Sequence, residues 1–567
     1  MTEQVTRGNR EGKASIKASD LFVRCLEAEG VSHIFGVPGE ENADIMMSLM
    51  DSSIDFVLCR HEQAAAFMAD TYGRLTGRPG VCLATLGPGA TNLVTGVADA
   101  NMDRAPLVAI IGQASTARLH KESHQNMDAI AMFRPISKWA HAIGNAGTIP
   151  EVVRKAFKVA TTEKPGATVI ELPEDLAKVQ LSATPMPVET TRRPAADHKA
   201  VARAVEAIAA AKRPLILAGN GAVRKRASQQ LRRLAHKCGI GVVNTFMGKG
   251  AVALDDPHCL FTIGLQGRDH VTAAFEDADL VVAVGYDLVE YGPGFWNAKR
   301  DKTIVHIDFE PAEIDTDFPV AVDVVGDVAD ALWQINEVMN ERFEGQLPLF
   351  DIAERAPLRS AIAADLTAEA DDPAFPMKPQ SVVNDMRAVL GKQDIMLSDV
   401  GAHKMWVSRY YQCYEPNTCL ISNGFCSMGF ALPGAIGAKI AHPECKVGLI
   451  CGDAGFLMNV QDLETAVRRG INFVCVILVD GEYGLIKWKQ QNQFDGRHSD
   501  LAFGNPDFEL LAKSFGMWGR HLDGPGQLRD ALEEAFEQPG PALIAVPVDY
   551  GENLKLTRRL GNLVEAI

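Results

Sequence analysis

Asp453 and Asp480 are the residues from which chemistry can first be read. Each closes an apolar run, "VGLICGD" (447–453) and "INFVCVILVD" (471–480), and Leu463, Ala466 and Val467 recur at helical spacing between them, ahead of Gly470. The pattern predicts strand, glycine turn, helix, strand. In a parallel sheet the helix returns the chain, so both carboxylates emerge at the same sheet edge. Such a turn is ordinarily an anion site, because free backbone N–H groups at the helix start point at a phosphate. Two bare carboxylates would repel each other and the phosphate. Mg²⁺ resolves the conflict: hard oxygen ligands from Asp453 and Asp480 hold the cation, which completes its shell with water and phosphate oxygens. A single Asp-Gly is more often a cap or a turn; the pairing of two strand ends carries the inference.

Other segments hold candidates whose bland roles are equally plain. Glu62 opens a helical pattern in "RHEQAAAFMADTYGRLTG" (60–77), where a carboxylate is favoured by the helix dipole alone. Met428 in "SMGFALPGAIGA" (427–438) has the type of a core filler. "SDVGAH" (398–403) puts Gly401 and His403 at a further strand end, and "EYGLIKWKQ" carries Tyr483, Leu485, Ile486 and Trp488 directly after Asp480.

Helix-like and strand-like segments alternate through the whole chain to position these residues. "DLFVRCLEAEG" reads as a helix stopped by Gly30; "VSHIFG", "IDFVLC", "VCLATLG" and "PLVAIIG" read as strands, with helices over 61–76 and 89–103. A Pro/Thr/Arg-rich linker near 182–199 leads to a second block with "PLILAGNGA", "GVVNTF", "LVVAVG" and "TIVHID". Residues 341–379 are charged and irregular, and a third block follows with "DIMLSDVG", "CLISNG", "VGLICGD" and "FVCVILVD". The expected architecture is α/β, with three doubly wound parallel-sheet domains over 15–182, 198–340 and 378–555 and ligands at the C-terminal strand ends.

Bulk properties agree with a large soluble protein. The chain has 567 residues, 47% hydrophobic, and a net charge of −16 without a long Lys/Arg cluster, which argues against nucleic acid or an anionic membrane as partner. Eleven cysteines stand singly, reading as free thiols in a reducing cytoplasm, and no apolar segment is long enough to span a membrane.

Two separated strings carry a family resemblance. Gly452-Asp453-Ala454-Gly455, followed by Asp480-Gly481-Glu482, resembles the diphosphate motif of thiamine diphosphate-dependent enzymes, with Ala454 a modest departure. Residues 60–77 and "LGPGATN" (86–92) resemble the pyrimidine-binding domain of the same class. The resemblance implies pyrimidine, central and diphosphate domains in that order. It implies thiamine diphosphate and Mg²⁺ as cofactors, held by Asp453, Asp480 and the carbonyl of Glu482. Glu62 becomes the catalytic carboxylate that bonds the aminopyrimidine ring. Pro38, Gly401, His403, Met428 as the wedge between the cofactor rings, Gly452, Ala454, Gly455 and Tyr483 are the further cofactor-binding positions.

Within the family the segments "HQNMDAIAMFRPISKW" (124–139), "VGYDLVEYGPGFWN" (284–297) and "VPVDYGENLKL" (546–556) resemble the catabolic, flavin-independent acetolactate synthases. That branch implies decarboxylation of pyruvate and ligation of the remaining unit to a second pyruvate, giving 2-acetolactate. Val37, Gln125, Phe133, Tyr483 and Trp488 are its substrate candidates. Glu40-Glu41 follows "FGVPG" where that branch carries a lysine, so another 2-oxo acid decarboxylase, carboligase or acyl transferase is the alternative. "AGNGA" (218–222) and "VHIDFEPAEID" (305–315) would suit a dinucleotide, but a lone G-x-G is weak, and Lys249 in "FMGKGA" resembles the flavin branch; FAD is disfavoured. Family sites lie between subunits, which implies a homodimer or homotetramer.

Overall fold

The alternating runs fold into three six-stranded sheets in which every neighbouring pair of strands is parallel. The computed structural model describes residues 15–189, 193–264, 270–553 and 556. The first sheet holds β1 (His33–Gly36), β2 (Asp55–Leu58), β3 (Gly80–Ala84), β4 (Leu107–Gln113), β5 (Trp139–Ala142) and β6 (Ala167–Pro173), in the order β2-β1-β3-β4-β6-β5. The central sheet holds β7 (Pro214–Ala218), β8 (Gly241–Asn244), β9 (Cys259–Thr262), β10 (Leu280–Val284), β11 (Thr303–Asp308) and β12 (Val320–Val325), in the order β9-β8-β7-β10-β11-β12. The third holds β13 (Ile395–Ser398), β14 (Cys419–Ile421), β15 (Val447–Gly452), β16 (Val474–Val479), β17 (Trp518–His521) and β18 (Ala542–Pro547), in the order β14-β13-β15-β16-β18-β17. The first and third sheets therefore share one strand order, and the central sheet has another.

Central strands of a parallel sheet are covered on both faces, so they read as unbroken apolar runs. β4 is buried at all seven positions, and β15 at its first five. The edge strands β5 (WAHA) and β17 (WGRH) contact the sheet on one side only and are mostly half-buried, and neither gave a strand signal. β6 carries a buried carboxylate, Glu171, which accepts from the Gln113 side chain at 3.0 Å and so breaks the apolar run.

The chain divides into two compact units, one up to Thr190 apart from Arg74–Thr76, the other from Thr191 onward. The first packs the helices Ala18–Ala28 and Ile149–Thr161 on its sheet, with Phe22, Leu26, Ile110, Phe157 and Ile170 in the core. The second holds the central and third sheets and joins them through shared core residues such as Phe261, Trp406 and Tyr411. Buried side chains of this size contribute roughly 1.5–3 kcal/mol each.

Two expectations change. The stretch 341–379 is not wholly irregular: Ala356–Thr367 is a helix, in which only Ile362 and Leu366 are buried, with Leu358 and Ala363 partly buried beside them. The helix after Asp453 is broken into Asp453–Met458 and Leu463–Arg469, because Asn459 between them turns its side chain to donate to the Gly429 carbonyl at 2.7 Å. All eleven cysteines are free, and among the described residues no helix is long and apolar enough to cross a membrane.

Candidate active site

Strand order in the third sheet reverses between β13 and β15, whose connections leave in opposite directions and open a crevice at their C-terminal ends. Asp399 follows β13, Asp453 follows β15 and Asp480 follows β16, so three carboxylates reach that edge. Asp453 is buried and fully engaged. Its Oδ2 accepts from the Gly481 N–H at 2.8 Å, the Asp480 N–H at 3.2 Å and the Asn505 amide at 2.7 Å. Its Oδ1 accepts the Ala454 N–H at 2.9 Å, so this donor, expected to face a phosphate, here closes on its own neighbour. Among the described residues Asp480 has only the Glu482 N–H at 3.4 Å. The Glu482 carbonyl accepts from the Gly484 N–H at 2.9 Å, and its carboxylate pairs with Lys487.

Burial, and then the Asp453 charge, push the Asp480 carboxyl up to about 7. Burial, and then the same two carboxylates, raise the Tyr550 hydroxyl; among the described residues its buried oxygen has no partner, and Asn505 Oδ1 beside them is likewise unpaired. His403 is buried, with Nε2 unpartnered among the described residues; burial holds it down to about 4, with the neighbouring Lys404 charge acting in the same sense, so it is neutral at physiological pH. A Cβ on Gly401 or Gly452 would come within 2.7 or 3.3 Å of the His403 ring, which explains both glycines. Crowded carboxylates flanked by orphaned oxygen atoms fit a hard divalent cation, which would relieve the repulsion and fill the empty acceptor sites.

A second group of contacts fixes the turn that carries Met428. Asp399, buried and pushed up to about 7 by burial, accepts the Gly429 N–H at 2.9 Å, and Asn459 donates to the carbonyl of the same glycine. Gly429 has φ +83, and a Cβ there would meet the Asn459 amide at 2.8 Å, so glycine is required. A Cβ on Gly455 would approach Asp399 Oδ2 to 3.0 Å. The half-buried Met428 thus stands on a turn tied from both sides. Beyond Asp480 the helix Gly484–Gln493 buries no residue: Tyr483 and Ile486 remain 39% and 46% exposed, Leu485 and Trp488 half-buried.

In the first unit Glu62 begins the helix Glu62–Thr76, after β2. Its Oε2 accepts from the Asn92 amide at 2.9 Å, and a Cβ on Gly89 would sit 3.4 Å from Oε1. Val37 donates its N–H to the Leu83 carbonyl, Pro38 is exposed, and Gly39 lies against Thr85 too closely for a side chain. Gln125 is exposed with φ +58, its backbone over Gly87, whereas Phe133 is fully buried in its own unit. Glu41 is buried and accepts from the Thr85 hydroxyl at 2.8 Å, while Glu40 is exposed.

The central sheet reverses between β7 and β10, where a dinucleotide pyrophosphate would be expected over "AGNGA". That place is taken by a buried carboxylate. Glu290 accepts the Asn220 N–H at 3.0 Å and the Asp287 N–H at 3.0 Å, and a Cβ on Gly219 would lie 2.8 Å from its oxygen. Lys249 is buried, donating to the Thr262 hydroxyl at 3.0 Å and the Ser408 carbonyl at 2.8 Å.

Sequence reasoning did not single out Asn92, Asp399, Asn459, Asn505 or Tyr550. Asn92, Asp399, Asn459 and Tyr550 lie inside or beside quoted motifs; Asn505 comes from a loop far along the chain and carries no local signal.

Comparison with known proteins bears on this geometry. Residues 16–132 match the thiamine pyrophosphate enzyme N-terminal TPP binding domain, 201–335 its central domain and 399–546 its C-terminal TPP binding domain. The chain belongs to the thiamine pyrophosphate enzymes. Relatives of this thiamine pyrophosphate enzyme include an acetolactate synthase of Bacillus subtilis, 34% identical with 99% of each chain covered. The catabolic acetolactate synthase of Raoultella terrigena is 37% identical over 96% of this chain and 97% of its own. The acetolactate synthase isozyme 2 large subunit of Escherichia coli is 31% identical over 95% and 97%. With TPP binding domains at both ends, the family cofactor, thiamine diphosphate, is the cofactor of this chain.

Proposed function

We propose that this protein is a Mg²⁺-dependent acetolactate synthase that decarboxylates pyruvate and joins the remaining unit to a second pyruvate. The observation that carries the reading is the Asp453–Asp480 pair at the switch point, crowded enough to raise Asp480, inside a chain aligned nearly end to end with acetolactate synthases. Asp453, Asp480 and the Glu482 carbonyl hold the cation; Gly452, Ala454, Gly455, Gly401 and His403 line the diphosphate. We assign the pyrimidine, central and diphosphate roles to domains over 15–182, 198–340 and 378–555.

Thiamine diphosphate supplies the electron sink that decarboxylation of a 2-oxo acid requires. The protein's own groups supply the rest. Glu62, steadied by Asn92, would hold the aminopyrimidine ring through its carboxyl and serve there as the acid–base group. Asp399 and Asn459 fix the turn that carries Met428, which would then be in place as the wedge when the cofactor binds. His403, kept neutral, adds no charge beside the diphosphate. Tyr483, Leu485, Ile486 and Trp488 would wall the acceptor pocket on the second unit; on the first unit Val37 and Gln125 remain substrate candidates and Pro38 a cofactor candidate, whereas Phe133, fully buried, is a core residue there.

A homodimer or homotetramer is the working assembly, supported by the exposed apolar side chains of Tyr483, Ile486, Phe494 and Phe425 around the site. No flavin role is assigned, since the Glu290 carboxylate occupies the N–H that a pyrophosphate would use. The decisive assay gives purified protein pyruvate, with and without thiamine diphosphate and Mg²⁺. Acetolactate is expected only when both are present. A different product, or turnover only with another 2-oxo acid, would favour the second reading, which the exposed Glu40 in place of a lysine supports.

A further inference from the structure

Among the described residues one group of three metal-ligating side chains, His236, Asp256 and His258, brings its ligand atoms within 4.8 Å of one another. It lies on the central sheet, away from the strand ends that carry Asp453 and Asp480. His236 stands on the last turn of the helix Lys225–Cys238, and Asp256-Pro257-His258 forms the turn leading into β9. Several bonds preset that turn: Asp256 N–H to the Ala253 carbonyl at 3.0 Å, Cys259 N–H to the Asp256 carbonyl at 3.0 Å, and His258 N–H to Asp256 Oδ1 at 2.9 Å. Pro257 fixes the backbone between the two ligands.

His236 Nε2 is 2.6 Å from Asp256 Oδ2, and His258 Nδ1 is 3.0 Å from Asp256 Oδ1. The two imidazole rings are 4.2 Å apart at their centroids and tilted by 38°. Ligand atoms that all lie within 4.8 Å of one another can converge on one ion with bonds of about 2.0–2.1 Å once the two imidazole–carboxylate hydrogen bonds give way to it. The His258 and Asp256 side chains are 7% and 12% exposed, but His236 is 52% exposed, which leaves one open side for a water ligand. A neutral imidazole can turn its lone pair to either nitrogen, so both rings can present the atom that now faces the carboxylate.

We propose that His236, Asp256 and His258 bind one late first-row divalent ion of the Zn²⁺ class, with water in the fourth position. Two nitrogens and one carboxylate oxygen with an open position match that class and not Mg²⁺, which prefers six oxygens. The ion bridges the helix Lys225–Cys238 to the entry of β9 and stabilises the folded chain by mass action.

Co²⁺ is the probe, because its visible d–d absorption reports a low-coordinate nitrogen–oxygen site that the Mg²⁺ site does not mimic. Full-length protein is stripped with chelator, saturated with thiamine diphosphate and Mg²⁺, and titrated with CoCl₂. One equivalent per chain should develop the band, Zn²⁺ should bleach it, and Zn²⁺ should raise the melting temperature. In His236→Ala, a change at an exposed side chain, the affinity should fall by more than the roughly 10- to 100-fold that losing an outer-shell partner costs. His258→Gln should behave likewise. No band in the wild type, or a band of equal intensity and affinity in His236→Ala, would overturn the proposal.

Discussion

The carboxylate of Asp399 accepts the N–H of Gly429 at 2.9 Å and thereby ties the loop after β13 to the turn that presents Met428. A buried acceptor, bonded to several backbone donors of one turn, is expensive to remove because those donors are left unpaired. Asp399→Ala should therefore weaken thiamine diphosphate binding by roughly 10- to 100-fold, from about 1.5–3 kcal/mol for a hydrogen bond to a charged group. Activity measured against cofactor concentration checks this. An unchanged cofactor requirement would show that the turn holds itself.

Asp453 and Asp480 should respond unequally. Asp453 accepts four hydrogen bonds from three residues of its surroundings and its own neighbour, whereas Asp480 has one long bond. Asp480→Asn keeps an oxygen ligand and should retain activity at a higher Mg²⁺ requirement. Asp453→Ala should abolish activity and also lower the melting temperature. Mg²⁺ titrations and thermal melts of both variants separate the two roles.

Glu62→Gln should slow turnover by roughly 100- to 10,000-fold, the usual worth of a positioned acid–base group. The side chain is half-buried and its bond to the Asn92 amide survives in an amide of the same shape. The melting temperature and the cofactor-binding fluorescence change should stay near wild type. A parallel loss of stability would make Glu62 structural.

Glu290 gives a pH dependence with a definite sign. Burial, followed by the Asp287 charge, raises its carboxyl from 4.5 to about 8 in the folded chain. The folded state then holds the proton more tightly than the unfolded state. This contribution is complete below about pH 4.5, shrinks as pH rises and is lost above about pH 8. The stability of wild type relative to Glu290→Gln, followed by denaturant melts across that window, should fall as pH rises. A constant difference would mean that the carboxylate is charged throughout.

Much of this molecule is legible along the chain. The apolar runs that became β1, β3, β4, β7, β8, β10, β11, β13, β15 and β16 announce themselves because strands inside a sheet covered on both faces exclude polar residues, and the edge strands β2 and β14 are legible from apolar runs of their own. Edge strands such as β5 and β17 do not, since one side meets no neighbouring strand and tolerates Trp, His and Arg. The helix Ala356–Thr367 was hidden because it buries only two side chains.

By itself the sequence determined the α/β class, the pairing of Asp453 with Asp480 and the position of Glu62, because each sits at a fixed offset from a local apolar pattern. The tertiary structure decided what those groups meet. Asn505 and Tyr550 reach the carboxylate pair, Asp399 meets Gly429 and Glu290 fills the central crevice through contacts between segments distant in the chain. Local spacing predicts which edge a side chain leaves from. Only packing in three dimensions sets its partners, and with them its charge.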